Sequence, residues 1–385
     1  MARPVVAVIG GGTAGLNFSR AIRQVLPESE AEVVVIEASE RAVYRPVLTQ
    51  VATGFRDPGD AEVSLSGMAK LGVKPVFSRV ERIDVDNRSL ELSDGSKISY
   101  DYLVVAAGAV PKEDAVPGLR EANYNPWTLE GALKLREALS RGPGKLVVGA
   151  AGMPYPCPPA PFELAGLVRR RLGPGASIKM VFPAPKPLPQ LGPEVSGKLE
   201  EIMKASGVEF LGGVKVEEVD SGKGRVRLEG GVELEFEVLA LVPPFAPPRF
   251  LVESGIAPEG GWPTVDPFKG FRHARLDGVY VIGDTASPTL GTPMAGFIAA
   301  YMARAAAASI ASEIRGEGPV KPEERVKASC YLDLIDDGAA IFCDFTDVMF
   351  GGGQPHCHIV AEGPLAGEFK LAFERYWKSR VAPPA

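Results

Sequence analysis

The stretch from Val5 to Glu37 constrains this chain more than any other. A β-branched apolar run, Val5 to Ile9, meets Gly10, Gly12 and Gly15 at the spacing G-x-G-x-x-G. A helix-like segment follows, and a second apolar run, Val33 to Ile36, ends on Glu37. Strand, glycine turn, helix and strand make a βαβ unit with a dinucleotide-binding fingerprint. The three glycines serve a tight turn, close backbone approach to a pyrophosphate, and tight packing of helix on strand. The helix opening at Thr13 and Ala14 offers free N–H groups and the positive end of its dipole to phosphates. Glu37, roughly 20 residues further on, stands where a carboxylate accepts hydrogen bonds from a ribose, with Ala38 beside it.

The chain has 385 residues, 45% hydrophobic and 23% charged, which suits two or three packed domains around a large core. A net charge of −6 argues against a nucleic-acid-binding surface. No basic, apolar leader precedes the first strand, so no signal peptide is expected and a cytoplasmic location is. The most apolar helical stretch, Met294 to Ala311, is Ala-rich and contains Arg304. It reads as a buried core helix, because a membrane span needs about 20 strongly apolar residues. Four cysteines lie far apart without a C-x-x-C pattern, and Cys343, in an apolar strand-like run, reads as packing. Pro355-His356-Cys357-His358 offers no helix register and no fourth ligand, so no metal is expected.

An internal repeat organises the middle of the chain. Residues 72–108 and 207–244 both read as a short strand, an alternating strand, a polar turn, another strand, a Gly turn, a third strand and a final apolar strand. Lys145 to Gly149 and Lys179 to Phe182 match the two strands of the opening unit. The fold class is therefore α/β, two tandem Rossmann-like domains with inserted antiparallel meanders, plus a C-terminal capping region. The second copy has lost its chemistry: Gly149 to Pro154 lacks the third glycine and brings prolines where a helix should start, and Pro183 replaces the acid. A nicotinamide dinucleotide is not expected there.

After the prolyl linker Pro243 to Pro248, Val279 to Asp284 reads VYVIGD, and Asp101 to Gly108 reads DYLVVAAG. These resemble the second FAD signature and the crossing segment of two-dinucleotide-domain flavoproteins. The resemblance implies FAD held by Gly10, Gly12, Thr13, Ala14, Gly15, Glu37, Ala38, Arg45, Val80, Ala107, Gly108, Gly283, Asp284 and Met294, with Asp284 on the ribityl chain. It divides the chain into residues 1–110 and 246–315 for the FAD domain, 111–245 for the second Rossmann-like domain, and 316–385 for the C-terminal domain.

Within that superfamily, Tyr44 to Gly54, Pro154 to Glu163 (PYPCPPAPFE), Lys327 to Ala340 and Phe369 to Trp377 resemble sulfide:quinone oxidoreductases and the flavoprotein subunits of flavocytochrome c sulfide dehydrogenases. The resemblance implies that Cys157 and Cys330 form a redox-active disulfide against the flavin, with Glu163 as a proton relay. Such a disulfide captures hydrosulfide by exchange, leaving a persulfide on one cysteine and a thiolate on the other. Prolines 158, 159 and 161 restrict the backbone around Cys157. Two departures matter. Many relatives carry a third cysteine within residues 125–130, where this chain has Trp127 and Thr128, and none stands near Pro46 to Thr49 to bind FAD covalently. Noncovalent FAD and a two-cysteine sulfur site are expected.

The expected acceptor is quinone, approaching through a C-terminal region that contains Phe342, Phe345 and Phe350. A cytochrome partner is the alternative, and a flavin sensor or assembly subunit without turnover is the reading of another class. In the last helix Phe369, Phe373, Tyr376 and Trp377 fall on one side, with Lys370, Glu374 and Lys378 elsewhere. That face suits core packing, a homo-oligomer contact or peripheral membrane docking, and nothing in the chain is expected to span a membrane.

Overall fold

The computed structural model describes residues 3–322 and 325–383. The opening unit consists of β1 (Val5–Ile9), α1 (Thr13–Val25) and β2 (Glu32–Glu37), with β1 and β2 parallel and Val6 opposite Val33. After α2 (Leu48–Thr53), β3 (Lys74–Phe77) lies parallel to β2. A meander of β4 (Val80–Asp84), β5 (Ser89–Leu92) and β6 (Lys97–Ser99) follows, and β7 (Tyr102–Val105) returns beside β1. Of these, β1, β2 and β7 are Val- and Ile-rich and almost wholly buried, as the central strands of a helix-covered parallel sheet require.

The chain then repeats itself. After α3 (Leu129–Ser140), β8 (Lys145–Ala150), α4 (Ala160–Leu172), β9 (Ser177–Phe182), α5 (Pro193–Ala205) and β10 (Glu209–Gly212) build a second parallel sheet. Strands β11 (Val216–Asp220), β12 (Arg225–Leu228) and β13 (Glu233–Glu235) form its meander, and β14 (Val238–Val242) pairs with β8. Both meanders break register at the same place, after Val80 in one copy and after Val216 in the other. That shared bulge is structural support for the repeat seen in sequence.

Three more strands, β15 (Val265–Asp266), β16 (Arg272–His273) and β17 (Val279–Val281), complete the first sheet in the order β15-β16-β17-β7-β1-β2-β3. The long helix α6 (Gly296–Arg315) packs on α1, and its Ile298, Met302, Ala303, Ala306 and Ile310 are buried. Among the described residues it is the one helix long and apolar enough to cross a membrane, yet 61% of that stretch is inside the protein and Arg304 faces out. Packing makes it a core helix.

The C-terminal region is an antiparallel sheet of β18 (Lys327–Asp333), β19 (Gly338–Asp344) and β20 (His356–Glu362), capped by α7 (Leu365–Arg380). Strand alternation sends Tyr331, Ala340 and Ala361 toward α7 and turns Cys330, Ile341 and Cys343 toward the body of the protein.

Two expectations need correction here. Cys343 is buried, but it is not a lone packing residue: it sits opposite Cys357 across β19 and β20 and is joined to it by a disulfide, Cα to Cα 4.1 Å. On β20, His356 and His358 flank Cys357 on the exposed side, beside Asp347 and Glu194. In α7 the buried face is not the aromatic stripe. Trp377 is buried against Tyr44 and Phe373 stacks on Phe297, but Phe369 and Tyr376 are exposed, while Lys370 and Glu374 are buried. Ion pairing reverses the expected polarity: Glu374 accepts two hydrogen bonds from Arg56, at 2.9 and 3.1 Å, and Lys370 reaches Glu163.

Candidate active site

The glycine cradle has the geometry its spacing implies. Gly10 adopts φ +108°, and a Cβ there would come within 2.4 Å of the Ala106 carbonyl oxygen, so β7's exit can cross directly over the turn. A Cβ on Gly15 would meet the Gly10 carbonyl oxygen at 1.8 Å, which fixes helix against turn. A Cβ on Gly12 would touch nothing within 4 Å, leaving backbone open to an approaching group. The helix begins at Thr13, with three residues between it and the strand. Glu37 closes the cradle, accepting hydrogen bonds from the N–H groups of Gly11 at 2.6 Å and Ala38 at 2.8 Å.

A second helix start converges on the first. Gly283 lies so near Ala14 that a Cβ would sit 2.9 Å from the alanine's, and Gly296, opening α6, faces Thr13. Between them Asp284 is half-buried, and its desolvation pushes its carboxyl up against the opposing pull of Arg45. Among the described residues no side chain or backbone group donates a hydrogen bond to that carboxylate. Thr285 donates to the Gly108 carbonyl at 2.7 Å and so ties this loop to the crossing segment of Ala107 and Gly108. Val80 is buried at the start of the first meander, opposite Leu92. An open cradle, two helix N-termini and an acid without a donor fit a dinucleotide with a polyhydroxyl chain.

The equivalent turn of the second copy is built differently. Nine residues, 151–159, separate β8 from α4, and the helix begins under Pro159 and Pro161, which have no N–H to give. A Cβ on Gly152 would meet the ring of Pro244 at 3.3 Å. Backbone donors for a pyrophosphate are missing here for a covalent reason.

That turn carries Cys157 instead. Its N–H donates to the Met294 carbonyl at 2.9 Å, which joins the second copy to the loop before α6. Asp284 and Cys330 both lie near enough for their charges to be felt by, or to feel, the Cys157 thiol. The structure thus brings three distant segments together, with Cys330 and Asp284 each within electrostatic reach of Cys157 and both cysteines as free thiols. Cys157 is exposed to solvent at its surface although protein crowds around it. Burial first, then the Glu163 carboxylate, push its thiol up to about 11. Burial pushes Cys330 higher still.

Glu163 lies in the first turn of α4, fully buried, where it accepts a hydrogen bond from Thr49 of α2 at 2.6 Å and pairs with Lys370 of α7. Burial raises its carboxyl, while the Lys370 ammonium and the Thr49 hydroxyl oppose the rise. Sequence reasoning missed Lys370 because one lysine beside an aromatic stripe reads as solvent-facing. It missed the Cys343–Cys357 bond because strand register is invisible in spacing. The acceptor-side aromatics divide: Phe345 is in the core, Phe350 packs on Phe268 at 5.2 Å, and Phe342 lies under the Lys327 ammonium.

Residues 4–310 match the family described as pyridine nucleotide-disulphide oxidoreductase. The chain is similar to a sulfide-quinone reductase of Aquifex aeolicus (strain VF5), 28% identical over 415 aligned positions that span 100% of this chain and 93% of that protein. It is also similar to the mitochondrial sulfide:quinone oxidoreductase of Mus musculus, 26% identical over 309 positions, 75% of this chain and 67% of that one. Its structure superposes on the X-ray structure of the sulfide:quinone oxidoreductase from Aquifex aeolicus with a TM-score of 0.87 at 23% identity, covering 99% and 91% of the two chains.

Proposed function

The chain belongs to the pyridine nucleotide-disulphide oxidoreductase family, and on that premise we propose that it oxidises sulfide through Cys157 and Cys330, with noncovalent FAD and quinone as acceptor. One observation carries the reading: two free thiols from distant segments lie within electrostatic reach of one another, and Cys157 within reach of Asp284, whose loop packs against the glycine cradle at Ala14. When bound, the flavin supplies a two-electron acceptor between that pair and quinone.

In the oxidised pair, hydrosulfide attacks one sulfur, a new S–S bond forms as the old one breaks, and the other cysteine leaves as thiolate. The lower-pKa thiol leaves faster. We place the thiolate on Cys157, the more exposed sulfur and the one within reach of the Lys370 ammonium, and the persulfide on Cys330. Lys370 opposes the rise at Cys157 by placing a positive charge near it. Glu163, locked in its pair, holds that charge in place. The exposed Leu365, Phe369 and Tyr376 of α7 give an apolar face on the C-terminal side, suited to a membrane surface from which quinone is drawn.

An anaerobic titration tests this. Sulfide should bleach the yellow protein and added quinone restore the colour, while NADH and NADPH leave it yellow on the same timescale. Denaturation should release unmodified FAD. Bleaching by NADH but not by sulfide would overturn the reading, and recovery with cytochrome c but not quinone would move the acceptor to a protein partner.

A further inference from the structure

We propose that Trp127 is the positioning residue for Cys157, an inference that deepens the sulfur-site reading above and rests on it. Cys157 holds φ at +58°, a region that an L side chain enters only under constraint. The segment around it cannot supply that constraint alone, since Pro154, Pro156, Pro158 and Pro159 have no N–H and it forms neither helix nor strand. The Met294 carbonyl holds the N–H side of the peptide that enters Cys157, and side chains hold its carbonyl side. The indole Nε1 of Trp127 donates to the Pro156 carbonyl at 2.6 Å, fixing the peptide plane that enters Cys157. The Tyr155 hydroxyl donates to the Pro158 carbonyl at 3.1 Å on the other side, and the two rings meet edge to face, 6.3 Å apart at 88°.

Trp127 is itself held from behind. It is buried, its N–H donates to Asn125 Oδ1 at 3.0 Å, and Asn125 Nδ2 donates to Glu113 at 2.7 Å. A rigid chain therefore runs from Glu113 through Asn125 and Trp127 to the peptide of Cys157. Orientation of that peptide sets where the thiol points, and hence its effective concentration toward Cys330. Without the indole donor, the buried Pro156 carbonyl also loses its partner, and the segment gains a reason to move.

The test uses the full-length, flavin-loaded protein with Trp127→Phe, which keeps a ring and loses the N–H. Incorporation of 3-benzothienylalanine at Trp127 keeps the bicyclic shape with sulfur in place of N–H, and covers the case in which the Phe variant fails to fold. Both should shift the Cys157–Cys330 dithiol–disulfide equilibrium in glutathione buffers toward dithiol by roughly fivefold or more, the scale of one hydrogen bond. Iodoacetamide should label Cys157 faster by a similar factor. Leu139→Ala, a buried change in α3, should lower thermal stability and move neither readout. An unchanged equilibrium together with an unchanged labelling rate in the Trp127 variants would overturn the proposal. Should the parent protein form no Cys157–Cys330 disulfide in any buffer, the sulfur-site reading falls, and the labelling rate alone still decides the role of Trp127.

Discussion

Lys370 presses its ammonium against the Glu163 carboxylate inside the protein, with one tenth of the lysine side chain and 3% of the glutamate's open to solvent. The contact joins α7 to α4, and the Thr49 hydroxyl on the same oxygen adds α2. A buried pair of this kind is not strong evidence for stability, because desolvation offsets much of the attraction, but breaking it from one side is costly.

Lys370→Met should therefore destabilise the protein by about 3–5 kcal/mol near neutral pH. The carboxyl left behind would be raised further, and a carboxyl whose folded value lies above its unfolded one loses stability as pH rises between the two. Urea unfolding at pH 5 and pH 8 should show the deficit growing with pH. Adding Glu163→Gln to the same chain should recover much of it and flatten the dependence; a deficit independent of pH would mean that the lysine acts by packing alone.

The Arg56–Glu374 contact has the opposite sign. Burial acts to raise Glu374, yet the donors on Arg56 and Lys378 outweigh it and hold the carboxyl below its usual range. Its contribution is present above the unfolded value and lost as pH falls through the folded one. Glu374→Gln should cost about 2 kcal/mol at pH 7 and little at pH 3, so thermal melts of parent and variant should converge in acid.

Much of the flavin half was legible because backbone conformation wrote it into residue type. Gly10 and Gly15 stand where a Cβ collides with backbone, so their spacing carries geometry directly. The repeat was legible for the same reason, with turn residues and alternation imposing a common register. The α7 face was not, since whether Lys370 and Glu374 point inward depends on partners at Glu163 and Arg56, hundreds of positions away in sequence. Nor was the Cys343–Cys357 bond, which follows from how β19 and β20 pair rather than from either strand. Tertiary pairing of charge and sulfur is the layer that local pattern does not encode.

Two glycines of the cradle separate folding from binding. Gly15→Ala places a methyl on the Gly10 carbonyl and should lose both flavin and thermal stability. Gly12→Ala meets no protein atom, so its stability without flavin should match that of the parent while FAD affinity drops, because the methyl fills space that the pyrophosphate would take. Flavin content after gel filtration and melting of the stripped protein measure the two effects. Equal flavin retention by Gly12→Ala would place the phosphates elsewhere.

Cys157→Ser and Cys330→Ser should each leave FAD bound and abolish sulfide-dependent flavin reduction, by roughly a thousandfold or more, with the double variant no worse than either single one. Two sulfurs of one exchange reaction act as a unit, so their losses do not add. Stopped-flow bleaching under argon reads this out. Parent-rate bleaching by Cys157→Ser would end the mechanism.

The Cys343–Cys357 bond makes a distinct prediction, because it lies in the same sheet as Cys330 without belonging to the exchange pair. It closes a loop of sequence separation 14, and by the chain-entropy model a loop of that size contributes about 3 kcal/mol by restricting the unfolded chain. Cys343→Ser, or reduction after unfolding, should lower stability by that order and leave the sulfide bleaching rate of the folded protein close to the parent's. The bond also holds β20 against β19, and β19 in turn backs the strand that carries Cys330, with Ile341 directly opposite that cysteine. Thiol counting in denaturant should therefore find two free cysteines in the reduced-pair enzyme, Cys157 and Cys330, with the other two titrating only after a reductant is added. Four free thiols in freshly unfolded protein would remove the brace, and a collapse of bleaching in a Cys343→Ser protein that still folds and holds FAD would draw this second sulfur pair into the chemistry.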